Sequence, residues 1–266
     1  MMKELTEKVM TLVRKTGAFI RQERQRMNFS NIRDKSHNSF VTELDIASEK
    51  RLVEGLSRIL PEAGFLTEEE TVRQEHKELE WIVDPIDGTT NFIHCIPLYS
   101  ISVALLKGGK PVIGVVYSIA TDELFYTWKG GETHLNGKVK RVSKAGTLPE
   151  SLLVTGFPYE KEEWMDIYLA IFKEFMLGSQ GLRRLGSAAI DLAYVAAGRF
   201  DGFYEHHLHA WDVAAGILLV ENAGGEVSDF SGGGEALFGG EIIASNGLIH
   251  DSMREVIARH FFPVGF

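Results

Sequence analysis

Between Trp81 and Phe92 the chain reads Trp-Ile-Val-Asp-Pro-Ile-Asp-Gly-Thr-Thr-Asn-Phe, which sets Asp84 and Asp87 three residues apart. A proline between them and a glycine after them let both carboxylates project from one turn toward a common point. Clustered carboxylate oxygens suit a hard divalent cation. Magnesium in particular takes octahedral oxygen coordination from few protein ligands and retained waters, and the carbonyl of Ile86 is one more oxygen in the turn. Gly88 lets the backbone approach an anion closely, and a helix opening at Thr89 would turn its free N–H groups toward that anion. Metal and phosphate could share the turn, although Asp-Pro-x-Asp-Gly taken alone also reads as an ordinary reverse turn.

Other polar residues admit two readings each. Asp212, in Ala210-Trp211-Asp212-Val213, is either a ligand or a helix N-cap before Val213. Glu68-Glu69-Glu70 is either a source of one ligand or a solvated acidic run. Thr42-Glu43-Leu44-Asp45 reads as a capping box at a helix start. His206, His207 and His209 suggest zinc, with His207 and His209 on one face of a strand, but no clear fourth ligand accompanies them and oxygen ligands dominate elsewhere. Arg183-Arg184 suits either substrate phosphate or a subunit contact, and Cys95, without a catalytic partner, reads as packing. Ser231-Gly232-Gly233-Gly234 reads as a flexible surface loop, since no basic side chain or helix start follows to make a phosphate loop.

The elements that must position these groups follow from periodicity. Leu5, Val9, Leu12, Val13, Thr16 and Ile20 recur at three- and four-residue steps and predict a first amphipathic helix. A polar stretch from Asn28 to Ser39 precedes a second helix, running from Thr42 to near Pro61. Trp81 to Val83 predicts a brief buried strand halted by Asp84-Pro85. Tyr99 to Trp128 predicts three strands joined by tight turns at Lys107-Gly108-Gly109-Lys110 and Thr121-Asp122. Beyond Lys144 strands and helices alternate: Leu152–Thr155, helices near Trp164–Phe175 and Ala188–Ala197, Phe200–Glu205, a helix over Val213–Val220, Glu241–Ala244, and a last helix from Leu248 to His260. The result is an α/β protein, α+β with an antiparallel sheet over residues 1–145 and α/β over 146–266.

The chain has 266 residues, 44% of them apolar, enough for a substantial core. Its formal charge of −9 argues against a broad contact with nucleic acid. A single cysteine cannot form an intrachain disulfide, which with a mixed N-terminal sequence and no long apolar run points to a soluble, cytoplasmic protein.

Trp81 to Phe92 resembles a signature of the inositol monophosphatase family, and Ala210 to Gly216 with Glu221-Asn222-Ala223-Gly224-Gly225 resembles that family's second signature. Gly186-Ser187-Ala188-Ala189 is similar to its substrate-side segment, and Phe65 to Glu70 to its Gly-Glu-Glu segment, with Thr67 in place of the usual glycine. The resemblance spans nearly the whole chain. It implies a layered αβαβα sandwich and magnesium-dependent hydrolysis of a phosphate monoester, inositol 1-phosphate first, by direct attack of water. One Mg2+ would be held by Glu68, Asp84 and the Ile86 carbonyl, and a second by Asp84, Asp87 and Asp212, with a weaker third near Glu68. Glu68 and Thr89 would orient the water, while Asp87 would serve catalysis as a ligand. Gly88, Thr89, Ser187, Ala188, Glu205 and Asp212 would contact substrate. Lys35 and Asp45 match site-adjacent positions, one residue closer together than usual. The resemblance also implies lithium sensitivity, a homodimer and, as alternatives, fructose-1,6-bisphosphatase or another small-molecule phosphatase activity, or a partnership with the transcription machinery that needs no catalysis.

Overall fold

The computed structural model describes residues 2–26, 35–72, 76–157 and 162–261, with 35–42 and 162–163 described by backbone alone. Helices α1 (Met2–Arg26) and α2 (Lys35–Ile59) pack on each other and on one face of a seven-stranded sheet. Its strands lie in chain order: β1 (Gly64–Thr67), β2 (Leu79–Asp87), β3 (Ser100–Lys107), β4 (Lys110–Ser118), β5 (Glu123–Trp128), β6 (His134–Leu135) and β7 (Lys138–Val139). β1 is parallel to β2 and the later pairs are antiparallel, as hairpins between sequence neighbours require.

The second sheet runs β11-β12-β10-β8-β9, from β8 (Leu152–Thr155), β9 (Gly181–Arg183), β10 (Gly202–His206), β11 (Glu226–Ser228) and β12 (Glu241–Ser245). Between the sheets lie α5 (Ala188–Ala196) and α6 (Ala210–Asn222), and outside the second sheet lie α4 (Glu162–Gly178) and α7 (His250–Phe261). This is the αβαβα layering that the resemblance implies.

Strand alternation assigns each residue to a layer. On β2, Ile82 faces α5 and α6 while Trp81 and Val83 face α1 and α2; on β12, Ile242 and Ala244 face inward while Ile243 meets α7. The middle layer is built from small residues. A Cβ on Gly114 of β4 would stand 2.6 Å from the Ala215 carbonyl oxygen, and one on Gly216 would stand 2.5 Å from Leu192 Cβ. Glycine at these two places lets α6 lie directly on the first sheet and against α5.

Several sequence expectations are corrected. α2 begins at Lys35, so Thr42 is interior to a helix and opens none; neither glycine nor proline interrupts the stretch between them. β2 does not stop at Asp84 but continues to Asp87. Asp84 pairs with Ser102 and Asp87 with Ser100, so a bulge absorbs the extra residue and Pro85 loses no ladder bond. β1, β6, β7, β9 and β11 went unread because each is short and holds at most two apolar side chains, whereas β8, equally short, holds three in a row. Cys95 is exposed with φ of +60°, and so does not serve packing. The Ser231–Gly234 segment is an exposed surface loop as expected, held to Asp229, which accepts hydrogen bonds from Ser231 Oγ at 2.6 Å and the Gly233 N–H at 2.7 Å. Among the described residues no helix is long and apolar enough to cross a membrane.

Candidate active site

A cavity of about 610 Å³ opens where the end of β2, the start of α5, the end of β10 and the start of α6 meet. Its walls bring together Glu68, Asp84, Ile86, Asp87, Gly88, Thr89, Ser187, Ala188, Glu205 and Asp212. Of the three successive glutamates only Glu68 lines it.

The bulge in β2 aims its two aspartates. Asp84 is buried, and its Oδ1 has no hydrogen-bond partner. Asp87 Oδ2 accepts hydrogen bonds from Ser187 Oγ, from the Ala189 N–H at 2.9 Å and from Ser100 Oγ at 3.3 Å. One oxygen of Asp87 is thus bound to protein. Gly88, at φ of +90°, turns the chain into α3 (Thr89–Ile93), and Thr89 Oγ1 donates back to the Ile86 carbonyl at 3.0 Å. A Cβ at position 88 would lie 2.9 Å from the Leu98 carbonyl oxygen.

Asp212 is not the N-cap residue. α6 starts two residues earlier, at Ala210, and Asp212 sits at its third position with Oδ2 accepting from the His209 N–H at 2.6 Å. Asp84, Asp87 and Asp212 each place a carboxylate oxygen so that all lie within 4.8 Å of one another, the one such group of potential metal ligands among the described residues. The histidines form no comparable group. β10 ends at His206, whose ring lies among Trp164, Phe230 and Phe261, and His207 turns away at φ of +67°.

Crowding and burial dominate the electrostatics. Burial pushes the Asp84 carboxyl well up, with the negative charges of Glu68, Asp87 and Asp212 adding to it. Burial also raises Asp87, against the hydrogen bonds from Ser187, Ala189 and Ser100. Glu68 rises by burial although its contact with Asp84 works the other way, and Asp212 is pushed up to about 6. Four acids in one pocket repel each other unless protons or cations intervene. An all-oxygen donor set with an unpaired buried oxygen fits a hard divalent cation.

Toward the far wall, Glu205 is buried and its carboxyl is pushed well up by burial and by Asp212 and Asp87. It lies on Gly156, where a Cβ would fall 1.7 Å from Glu205 Oε1. Arg184 lines the cavity with its guanidinium 5.5 Å from the Phe157 ring centroid. Asp45 is buried and pushed up to about 8 by burial and by Glu69, Glu68 and Glu49. Lys35 opens α2, and its side chain lies outside the described residues. Sequence reasoning missed Gly156, Ser100 and Glu49, for which no local pattern gave a signal; each acts on a residue far from it in the chain.

Five alternating layers enclose a carboxylate-walled cavity, and the comparisons with known proteins place this arrangement in a family of phosphatases. The chain belongs to the inositol monophosphatase family, whose model matches residues 1–262. It is 45% identical over 221 residues to an inositol-1-monophosphatase of Rhizobium meliloti, covering 83% of each chain. It is 39% identical over 241 residues to the Nus factor SuhB of Escherichia coli, covering 90% of each. An inositol monophosphatase structure from Anabaena superposes with a TM-score of 0.85 at 35% identity, over 97% of this chain and 96% of that one.

Proposed function

We propose that this phosphatase hydrolyses a small-polyol phosphate monoester, inositol 1-phosphate in the first instance, with magnesium as cofactor. The observation that carries this reading is the approach of Asp84, Asp87 and Asp212 oxygens within 4.8 Å, with Asp84 Oδ1 buried and unpaired. Glu68, Asp84 and the Ile86 carbonyl would hold one ion and Asp84, Asp87 and Asp212 another. Magnesium held there would supply charge neutralisation for the phosphoryl oxygens, for the attacking water and for the departing alkoxide.

The chain's own groups divide the remaining work. Glu68 accepts a proton from the attacking water, and the Thr89 hydroxyl, tethered to Ile86, orients it. Backbone N–H groups of residues 88–90, which have no carbonyl partner inside α3, face the phosphate. Ser187 holds Asp87, Ala188 closes the wall beside it, and the Glu205 carboxyl accepts a hydrogen bond from a hydroxyl of the alcohol. Asp45 sits behind Glu68, where a weaker third ion would enter. A homodimer in the cytoplasm is the state in which we infer it works; the charge of −9 supports a partner other than nucleic acid.

Turnover of inositol 1-phosphate, fructose 1,6-bisphosphate and 3'-phosphoadenosine 5'-phosphate, with magnesium and with chelator, tests the reading. Magnesium-dependent hydrolysis of the first above the others is expected; equal rates in chelator would overturn it. The likeness to the Nus factor SuhB supports a second reading, a protein contact within the transcription machinery. A partner captured equally by parent and Asp87→Asn proteins would establish it as independent of turnover.

A further inference from the structure

Glu49 is fully buried in α2, does not line the cavity, and has no part in the chemistry above. Its carboxylate is nevertheless occupied by one short stretch of chain. Oε1 accepts from Thr67 Oγ1 at 2.8 Å and from the Thr71 N–H at 2.8 Å, and Oε2 accepts from the Glu69 N–H at 2.8 Å. Glu68 stands in the middle of these contacts, with its own N–H on the Val83 carbonyl at 3.2 Å. β1 ends at Thr67, and Glu70 reverses the chain with φ of +48°. From Glu69 onward a carboxylate from a helix replaces a strand partner.

A buried carboxylate is costly to desolvate unless donors saturate it, and three do so here. Glu49 also places negative charge beside Asp45 and Glu69, both of whose carboxyls it helps to push up. Neutral side chains close turns without that repulsion. What the charged group adds is rigidity on both flanks of Glu68: the hydroxyl of the residue before it and the N–H of the residue after it end on the same carboxylate. A ligand held by such outer contacts keeps its aim when its neighbours repel it.

We propose that Glu49 and Thr67 are a positioning pair that fixes the Glu68 carboxylate against Asp84 and thereby sets the cation affinity of the site. The inference rests on the reading of Glu68 as a cation-holding group. Thr67→Val keeps the shape and removes the hydroxyl; Thr67→Ser keeps the hydroxyl; Glu49→Gln presents an amide donor to the Glu69 N–H.

The test is calorimetric titration of each metal-free full-length variant with Mg2+, with circular dichroism to verify folding. Thr67→Val and Glu49→Gln are expected to weaken affinity by about 10- to 100-fold, while Thr67→Ser stays within about threefold of the parent. Parental affinity in Thr67→Val, or equal loss in Thr67→Val and Thr67→Ser, overturns the proposal whether or not Glu49→Gln folds. Glu68→Gln separates the two ideas. If it weakens binding while Thr67→Val does not, only the positioning pair fails; if it binds like the parent, the reading of Glu68 itself is wrong.

Discussion

Asp87 accepts a 2.9 Å hydrogen bond from the backbone N–H of Ala189, 102 positions further along the chain. The contact ties the bulged end of β2 to the first turn of α5, where unpaired N–H groups welcome a carboxylate. Ser187, the N-cap of α5, reinforces it by donating to the same oxygen while accepting from the Ile190 N–H at 3.4 Å. Ser187→Ala should therefore loosen Asp87 and lower kcat about 10-fold. Asp87→Asn should lower it by about 1000-fold or more, roughly 4 kcal/mol of transition-state stabilisation. Steady-state kinetics at saturating magnesium checks the ranking, and a larger loss for Ser187→Ala would reverse the assignment.

The residues of that contact were legible in the sequence, but the contact was not. The Asp84–Thr89 turn and the Asp212 segment could be read because each gathers its chemistry within a few consecutive residues. Helices such as α1 were legible through periodicity, and β8 through the apolar run Leu152-Leu153-Val154. Ser100 on Asp87 and Gly156 under Glu205 join distant positions, so only the fold brings them together. The start of α2 was misread for a related reason. A capping box at Thr42 is a local signal, whereas the helix is decided by whether the chain can continue through Lys35 to Val41 and still bury Leu44, Leu52 and Leu56.

Metal-free protein should lose stability as pH rises above neutrality. A carboxyl whose folded pKa is raised favours folding below its ordinary value, and that contribution is lost as pH climbs through the folded one. Asp45, at about 8, and the raised Glu68, Asp84 and Asp87 carboxyls all act in this direction. His206 and His250, pushed down by burial, act oppositely, but only below their ordinary 6.5. Glu123 and Asp229, held low by hydrogen bonds, finish titrating at still lower pH. Between pH 6.5 and 8.5 the acid cluster is left to dominate. The melting temperature in chelator should fall over that window, and magnesium should raise it most at the alkaline end. A flat chelator profile would mean the cluster is not strained.

Gly88→Ala should damage fold and site together. The left-handed backbone at φ of +90° costs an alanine about 1–2 kcal/mol, and the new methyl meets the Leu98 and Gly186 carbonyl oxygens at 2.9 and 3.1 Å. A total loss of about 2–4 kcal/mol is expected by urea unfolding. Gly108→Ala is the control, since that hairpin glycine has no atom within 4 Å of the added carbon. If both variants lose the same amount, backbone strain alone is responsible and the close approach at Gly88 contributes nothing.

Glu205 and Gly156 should decide which alcohol the site accepts. The carboxyl lies over a position with no side chain, so Gly156→Ala would place a carbon 1.7 Å from Oε1 and force Glu205 to move. Glu205→Gln keeps the shape but puts an amide donor where one acceptor oxygen stood, so a substrate hydroxyl that donates there loses its partner. Leaving such a group unmatched in a buried site costs about 1–3 kcal/mol, so either variant should lower kcat/KM for inositol 1-phosphate by about 10- to 100-fold. Hydrolysis of a phosphate ester without a neighbouring hydroxyl, such as p-nitrophenyl phosphate, should change far less, because Asp84, Asp87 and Asp212 are untouched. The ratio of the two rates is the informative quantity. If both substrates slow equally, Glu205 acts on the carboxylate cluster through its negative charge, which already raises Asp191 beside it, and its part in choosing the alcohol falls away.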